Sequence, residues 1–186
     1  LGVPFITFLA PGLISMQVIQ QSFSHSSSSF MIGKIQGNIV DLLYAPLSAT
    51  EVTISIALAA VTRSVMIAIV SIIVFKLIID IEITNYFLLI VFTLLSSFIL
   101  GNIGIIAGLW AEKFDHMATV TNFVIVPLSF LSGTFYSIER LPEVLQIISK
   151  ANPFFYMIDG FRYSFIGKAD GSIFVGLIYL SALSFV

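Results

Sequence analysis

PLSFLSGTFYSIERLPEVLQIISKANPFFYMIDGFRYSFIG, residues 127–167, is the stretch on which the reading of the fold turns. It begins inside an apolar run, breaks at Leu131-Ser132-Gly133 and becomes polar at Ser137-Ile138-Glu139-Arg140. Two short helical patterns follow. In the first, Pro142 to Lys150, proline takes a first helical position. Leu141, Val144, Leu145 and Ile148 share one face there, with Glu143, Gln146 and Lys150 off it. The second opens on Asn152-Pro153, a capping residue followed by an N1 proline. It carries Phe154, Ile158, Phe161 and Phe165 on one stripe and stops at Gly167. Each pattern is shorter than the roughly 20 residues that cross a bilayer. An amphipathic pair of this length between spans reads as interfacial or re-entrant structure. Within the second helix, Asp159 and Arg162 stand one turn apart and read as a helix-surface ion pair.

The chain around this stretch is not a soluble domain. Of its 186 residues, 58% are hydrophobic and 10% charged, with a mean hydropathy of +1.08. Soluble domains carry about 25% charged residues, so this apolar surface needs lipid. The expected fold class is all-α, a polytopic membrane helix bundle. The formal net charge is −2 and no basic cluster points to nucleic acid. With no cysteine, disulfides, thiolate chemistry and cysteine-ligated metals are excluded. No Met precedes Leu1 and no charged segment introduces the first apolar run, so no signal peptide is expected. The last run, from Ile173, reaches Val186 after about 14 residues, short of a span. The expectation is a single transmembrane domain, residues 1–186, cut at both ends.

Taken in order, residues 1–23 read as a span carrying Pro4 and Pro11-Gly12, with Pro11 a kink. Gln20 to Ser29 is serine-rich and reads as a water-facing end, with His25 a lone surface histidine. Residues 30–48 hold an amphipathic helical pattern from Gly33 to Ala45. Ile35, Ile39, Leu42 and Leu43 form its stripe, Lys34, Gln36, Asn38 and Asp41 face elsewhere, and Pro46 ends it. Ser48-Ala49-Thr50-Glu51 is a capping box for the span at 49–79. That span contains Arg63, whose charge is costly in hydrocarbon and should snorkel or face protein. Lys76, Asp80 and Glu82 make the next polar turn. Residues 85–111 form a further span, where Gly104 and Gly108 make a small-xxx-small pair for close helix packing. These glycines are no phosphate loop, because no Lys-Ser or Lys-Thr follows them. Glu112 to His116 is a polar loop, its Asp115-His116 pair a solvated turn rather than a metal site. Residues 117–137 form a span kinked by Pro127, 138–168 the short helix pair, and 172–186 the start of a last span.

The polar segments fall on two sides. Residues 24–48 and 112–116 share one, 76–84 and 138–171 the other. Counting Lys34 and Lys113 against Lys76, Arg140, Lys150, Arg162 and Lys168, the positive-inside rule puts the first set outside.

With these residues in view, the chain resembles the permease subunit of an ABC exporter of the ABC-2 type. Phe8-Leu9-Ala10-Pro11-Gly12-Leu13 is similar to that family's proline-glycine second span. Gly37, Asp41, Leu42, Leu43, Ala45, Pro46 and Glu51 match its cytosolic coupling segment, here poorer in charge than in many members. Arg63 falls where such permeases often carry arginine. Leu131-Ser132-Gly133-Thr134-Phe135-Tyr136, Leu141-Pro142, Asn152-Pro153, Tyr156, Arg162 and Gly167 match the region before the last span.

The resemblance implies a type V exporter fold of six spans working as a dimer of like or unlike permease subunits. On this view the present chain lacks an N-terminal amphipathic helix and the first span, and its last span is truncated. It implies a separate ATPase subunit that binds ATP and Mg, no cofactor on this chain, and a cargo of drug, lipid or polysaccharide. Gly37, Asp41, Leu42, Leu43, Pro46 and Glu51 would couple to the ATPase. Gly133, Pro142, Asn152, Pro153, Tyr156, Arg162 and Gly167 would belong to an extracytoplasmic re-entrant gate. It also implies that residues 24–48 face the cytosol and 138–171 the outside, the reverse of the charge count. The alternatives are a membrane channel or scaffold without an ATPase, and an intramembrane enzyme. The last needs convergent ionisable groups inside the spans, and residues 86–110 carry none.

Overall fold

The axis of the fold is one long helix, α1 (Phe5–Gln36), which passes Pro11 without ending. In this computed structural model residues 4–79, 81–138 and 141–185 are described, forming helices joined by turns, bends and short irregular connections. Expectations touching residues 1–3, Asp80, Glu139, Arg140 and Val186 lie outside the described residues.

The serine tract of α1 corrects the sequence reading. Residues 20–29 are not a water-facing end but the middle of the helix, with Ser22, Ser26 and Ser27 buried. A serine hydroxyl can satisfy itself on a carbonyl one turn back, so it needs no water. Ser27 Oγ donates to Phe23 O at 2.8 Å and Ser29 Oγ to His25 O at 2.8 Å. Ser22 Oγ donates across to Ser97 O on the neighbouring helix. The residue type that signals a loop in soluble proteins is here a close-packing surface.

Gly33 to Ala45 is likewise not one helix. Gly33 and Lys34 belong to the last turn of α1, which ends at Gly37 with φ of +77°. That left-handed turn is open to glycine at no steric cost. Beyond it lies the short α2 (Ile39–Tyr44). Ser48 then starts α3 (Ala49–Ile78), its side chain and that of Glu51 reciprocally satisfying the first amides. α4 (Tyr86–Trp110) begins on Asn85, whose side chain accepts from Leu88 N.

The next helical rod has three parts: α5 (Phe114–Val120), a π turn (Thr121–Ile125) and α6 (Val126–Leu131). Pro127 has no N–H and its ring crowds the carbonyl one turn back. The chain widens into the π turn just before it, and Val126 N bonds Thr121 O. Where the sequence suggests a span reaching Ser137, the helix stops at Leu131 and turns through Gly133, φ +80°. α7 (Glu143–Ala151), α8 (Pro153–Ile166) and α9 (Ile173–Ser184) complete the chain. Pro142 stands at the N-cap of α7 rather than inside it.

α1 packs against α3, α4 and α8, and α9 lies against α8 and α4. The main core gathers Ile19 and Phe23 from α1, Phe92, Ile99 and Leu100 from α4, Met157 and Ile158 from α8, and Leu180 from α9. Among the described residues, three helical stretches are long and apolar enough to cross a membrane: Ala49–Ile78, Tyr86–Trp110 and Phe114–Leu131. The outward face of α3 exposes Ile54, Leu58, Met66, Ile69, Val70 and Ile73, a surface suited to lipid or another membrane helix.

Candidate functional site

The segments singled out by sequence lie at opposite ends of the bundle. At one end, α1 stops, α2 projects and α4 finishes. Lys34 on the last turn of α1 donates from Nζ to three carbonyls at the C-terminus of α4: Gly108 O at 2.9 Å, Leu109 O at 2.5 Å and Ala111 O at 2.9 Å. These are groups a helix end leaves unsatisfied, and a cation also complements the dipole there. Lys34→Met should lower stability by about 1.5 kcal/mol, the lower end for charged donors because the site is open to water. Thermal unfolding of the full-length protein, compared with Lys34→Arg, checks this.

α2 is held by few contacts. Ile39 packs onto a cluster of Phe30, Ala57 and Ile105, one residue each from α1, α3 and α4. Most other described side chains of the segment are open. Asp41 and Pro46 are exposed, Tyr44 is 86% exposed, and Ile35, Val40 and Leu47 show apolar surface beside them. The side chains of Leu42 and Leu43 lie outside what the structure describes. Glu51 is engaged with Ser48, its Oε2 accepting from Ser48 N at 2.7 Å and Ser48 Oγ at 2.8 Å.

At the other end, α8 closes over the bundle. Its aromatic stripe Phe154, Ile158, Phe161 and Phe165 is buried, and its last turn reaches the α3–α4 connection. Thr84 N and Asn85 N both donate to Ser164 O at 2.9 Å, and Thr84 Oγ1 to Phe165 O at 2.6 Å. Gly167 ends α8 in the left-handed region, φ +69°. Asn152 does two jobs. Its Oδ1 accepts from Phe154 N at 3.1 Å to cap α8, while its Nδ2 donates to Leu128 O at 3.1 Å and Ser132 Oγ at 2.8 Å at the end of α6.

Arg162 and Asp159 are not a surface pair. Both are buried, at 1% and 2% exposure, and they point to different partners. Arg162 Nη2 donates to Gly133 O at 2.5 Å and Thr134 O at 3.4 Å, and its guanidinium lies 3.9 Å over the Phe8 ring. Asp159 accepts from Asp170 N and Gly171 N, each at 2.9 Å. Burial pushes its carboxyl up to about 6, against the two amides and the Arg162 charge that hold it down. Asp170 in turn accepts from Ile138 N at 2.9 Å.

Of the residues named from sequence at this end, the fold joins Gly133, Asn152 and Arg162 around the α6–α7 turn. Tyr156 faces α9 instead, its ring 5.3 Å from Tyr179, and Pro142 is exposed at the head of α7. The sequence gives Asp170 and Phe92 no role, and it places Phe8 and Gly12 in a span without pointing to this end of the bundle. A Cβ on Gly12 would meet Thr134 O at 2.6 Å, and one on Gly160 would run into the Phe92 ring. Only the Pro11-Gly12 step offered a signal. Among the described residues no three His, Asp or Glu side chains are grouped to hold a metal. His25 is half-buried beside Arg63 rather than alone at a surface.

This arrangement is a helix bundle with a loosely held helix at one end and a buried polar closure at the other. A family model described as ABC-2 type transporter matches residues 2–166. The chain belongs to the ABC-2 type transporter family. The ABC-2 chain is 32% identical over 169 residues to inner membrane transport permease YadH of Escherichia coli K12, covering 91% of this chain and 66% of that protein. It thus spans just under two thirds of that relative's length. Nodulation protein J of Sinorhizobium fredii is 19% identical over 183 residues, 98% of this chain and 69% of that protein. No solved structure matches.

Proposed function

We propose that this chain is the transmembrane permease part of an ATP-binding cassette exporter of the inner membrane, moving an amphipathic drug, lipid or glycan. It is a transport subunit, not an enzyme. ATP and Mg are bound by a separate nucleotide-binding subunit, and the permease acts as a homodimer or pseudo-homodimer in the bilayer. One observation carries the reading: α2 exposes Val40, Asp41 and Tyr44 yet is rooted by Ile39 where α1, α3 and α4 meet. A subunit gripping Tyr44, Leu47 and Asp41 would move that root, and with it three helices at once. α1 and α4 continue from there to α8, so closure of the ATPase would reach the far end as a shift between two packed states. The side bearing α2 is then cytosolic, against the count of basic residues. Differential affinity of the inward- and outward-facing states for cargo would set direction.

The test is a full-length permease–ATPase complex in proteoliposomes, carrying a single cysteine at Phe135, which is 38% exposed at the α8 end. ATP should change the alkylation rate of that cysteine. Asp41→Lys or Leu42→Asp should abolish the change while ATP hydrolysis continues. An unaltered ATP response in both variants would sink the assignment of α2 as the coupling element.

A further inference from the structure

Gly33 is a helical glycine on which nothing presses. It lies in the last turns of α1 and is not among the glycines of positive φ, which are Gly37, Gly133 and Gly167. A Cβ on Gly33 would meet nothing nearer than Ile39 N at 4.0 Å, whereas on Gly12, Gly104 or Gly108 it would meet a backbone oxygen at 2.9 Å or less. Glycine inside a helix is less stable than alanine. What the missing Cβ leaves here is room under α2.

That room is a cavity built by three elements. Ser29, Phe30 and Gly33 of α1, Asn38 of the turn, Ile39 of α2 and Ile56 of α3 line a space of about 80 Å³. It is several times the roughly 10–15 Å³ that a single water needs, in a class of structure whose interiors are otherwise close-packed. Its two polar side chains donate outside it, Ser29 Oγ to His25 O at 2.8 Å and Asn38 Nδ2 to Gln36 Oε1 at 3.2 Å. The rest of the wall is aliphatic, aromatic or bare glycine. Ile39 therefore has packing partners in Phe30, Ala57 and Ile105 and unfilled space beside it. The backbone entering α2 is loosely held as well. Gly37 N lies 3.3 Å from Lys34 O and Val40 N 3.4 Å from Gly37 O, both beyond the usual range, and Asn38 makes no side-chain cap.

We propose that this cavity is the clearance into which Ile39 moves when α2 is pulled, with Gly37 as the pivot and Gly33 keeping the space open. The inference rests on the coupling reading of α2 above and adds how the pull is admitted. Ile39 exchanges its seat on Phe30, Ala57 and Ile105 for one over Gly33, and the three helices that meet there are released to shift.

The test uses the same permease–ATPase complex in proteoliposomes, reading the ATP-driven change in alkylation of the cysteine at Phe135. Gly33→Ala should shrink that change about fivefold or more while ATP hydrolysis continues, because the added methyl occupies the space Ile39 must enter. Its melting temperature should not fall, since alanine is the better helix former and touches nothing as the helices stand. Gly33→Ala with Ile39→Val, which removes a methylene from the moving side chain, should restore about half of the response or more. Gly101→Ala raises helix propensity away from the cavity and should respond like the wild type. If Ile39→Val restores nothing, or Gly101→Ala loses the response equally, alanine acts through helix stiffness and the clearance is overturned. A lower melting temperature in Gly33→Ala overturns it too, by showing that the space is already taken. A full response in Gly33→Ala beside a lost one in Asp41→Lys overturns the clearance and leaves α2 as the coupling element. A full response in both sinks the coupling assignment itself.

Discussion

Arg162→Leu is expected to destabilise the permease by about 3–5 kcal/mol, the cost of removing one member of a buried charged network. The side chain is fully enclosed and joins three parts of the chain at once. Its Nη2 holds the Gly133 and Thr134 carbonyls of the α6–α7 turn, and its plane covers Phe8 of α1. Leucine would fill part of the volume but leave those carbonyls without a donor. It would also strip Asp159 of the neighbouring positive charge that favours its ionised form. Arg162→Lys should recover part of the loss, because an ammonium restores charge and one donor but not the planar contact with Phe8. Thermal unfolding in detergent should show a drop of about 10 °C or more for Arg162→Leu and a smaller one for the lysine variant. A leucine variant melting with the wild type would mean that the turn at Gly133 does not depend on Arg162.

That arginine also marks where sequence reading stops. Its spacing from Asp159 is a sound local rule for two exposed side chains on one helix, and nothing local says that both are buried. The partners that decide the matter, Gly133 and Asp170, come from segments brought in by the tertiary fold. The same limit explains Lys34, whose carbonyl partners are more than seventy residues away. Features resolved within one turn were legible. The Ser48–Glu51 capping box, the Asn152 cap and the left-handed Gly167 each follow from side-chain chemistry over a few residues. The serine tract at 20–29 is deceptive because sequence polarity does not by itself mean contact with water. In a membrane helix a serine bonds its own backbone and presents a small surface to its neighbour. The end of the helix at Leu131 was equally hidden, since Thr134 Oγ1 and Ser149 Oγ satisfy the last carbonyls, Ser129 O and Leu131 O, from outside.

The α1–α4 seam supplies the sharpest contrast between neighbouring positions. Gly101, Gly104 and Gly108 lie along α4 facing Ser22, Phe23, Ser26, Ser27 and Phe30 of α1, yet they differ in the room they have. A Cβ on Gly104 would stand 2.5 Å from Phe23 O and 3.0 Å from Ser26 Cβ, and one on Gly108 would stand 2.9 Å from Ser27 O. Those obstacles are backbone oxygens and a Cβ fixed to the backbone, none of which can rotate away, so the helices must separate. At Gly101 the nearest atom is Ala60 Cβ at 3.4 Å, an ordinary contact. Gly104→Ala is therefore expected to cost about 1–3 kcal/mol and Gly104→Leu about 3 kcal/mol or more, as for overpacked cores. Gly101→Ala should be neutral or gain up to about 1 kcal/mol, since alanine is the better helix former. The melting temperatures of these three variants decide it, and equal losses at Gly101 and Gly104 would contradict the seam. The damage should also spread. α1 is tied to the end of α4 through Lys34 and to the α6–α7 turn through the close approach of Gly12 to Thr134. A helix pushed off α4 at Gly104 strains both attachments, so Gly104→Ala combined with Lys34→Met should depart from additivity.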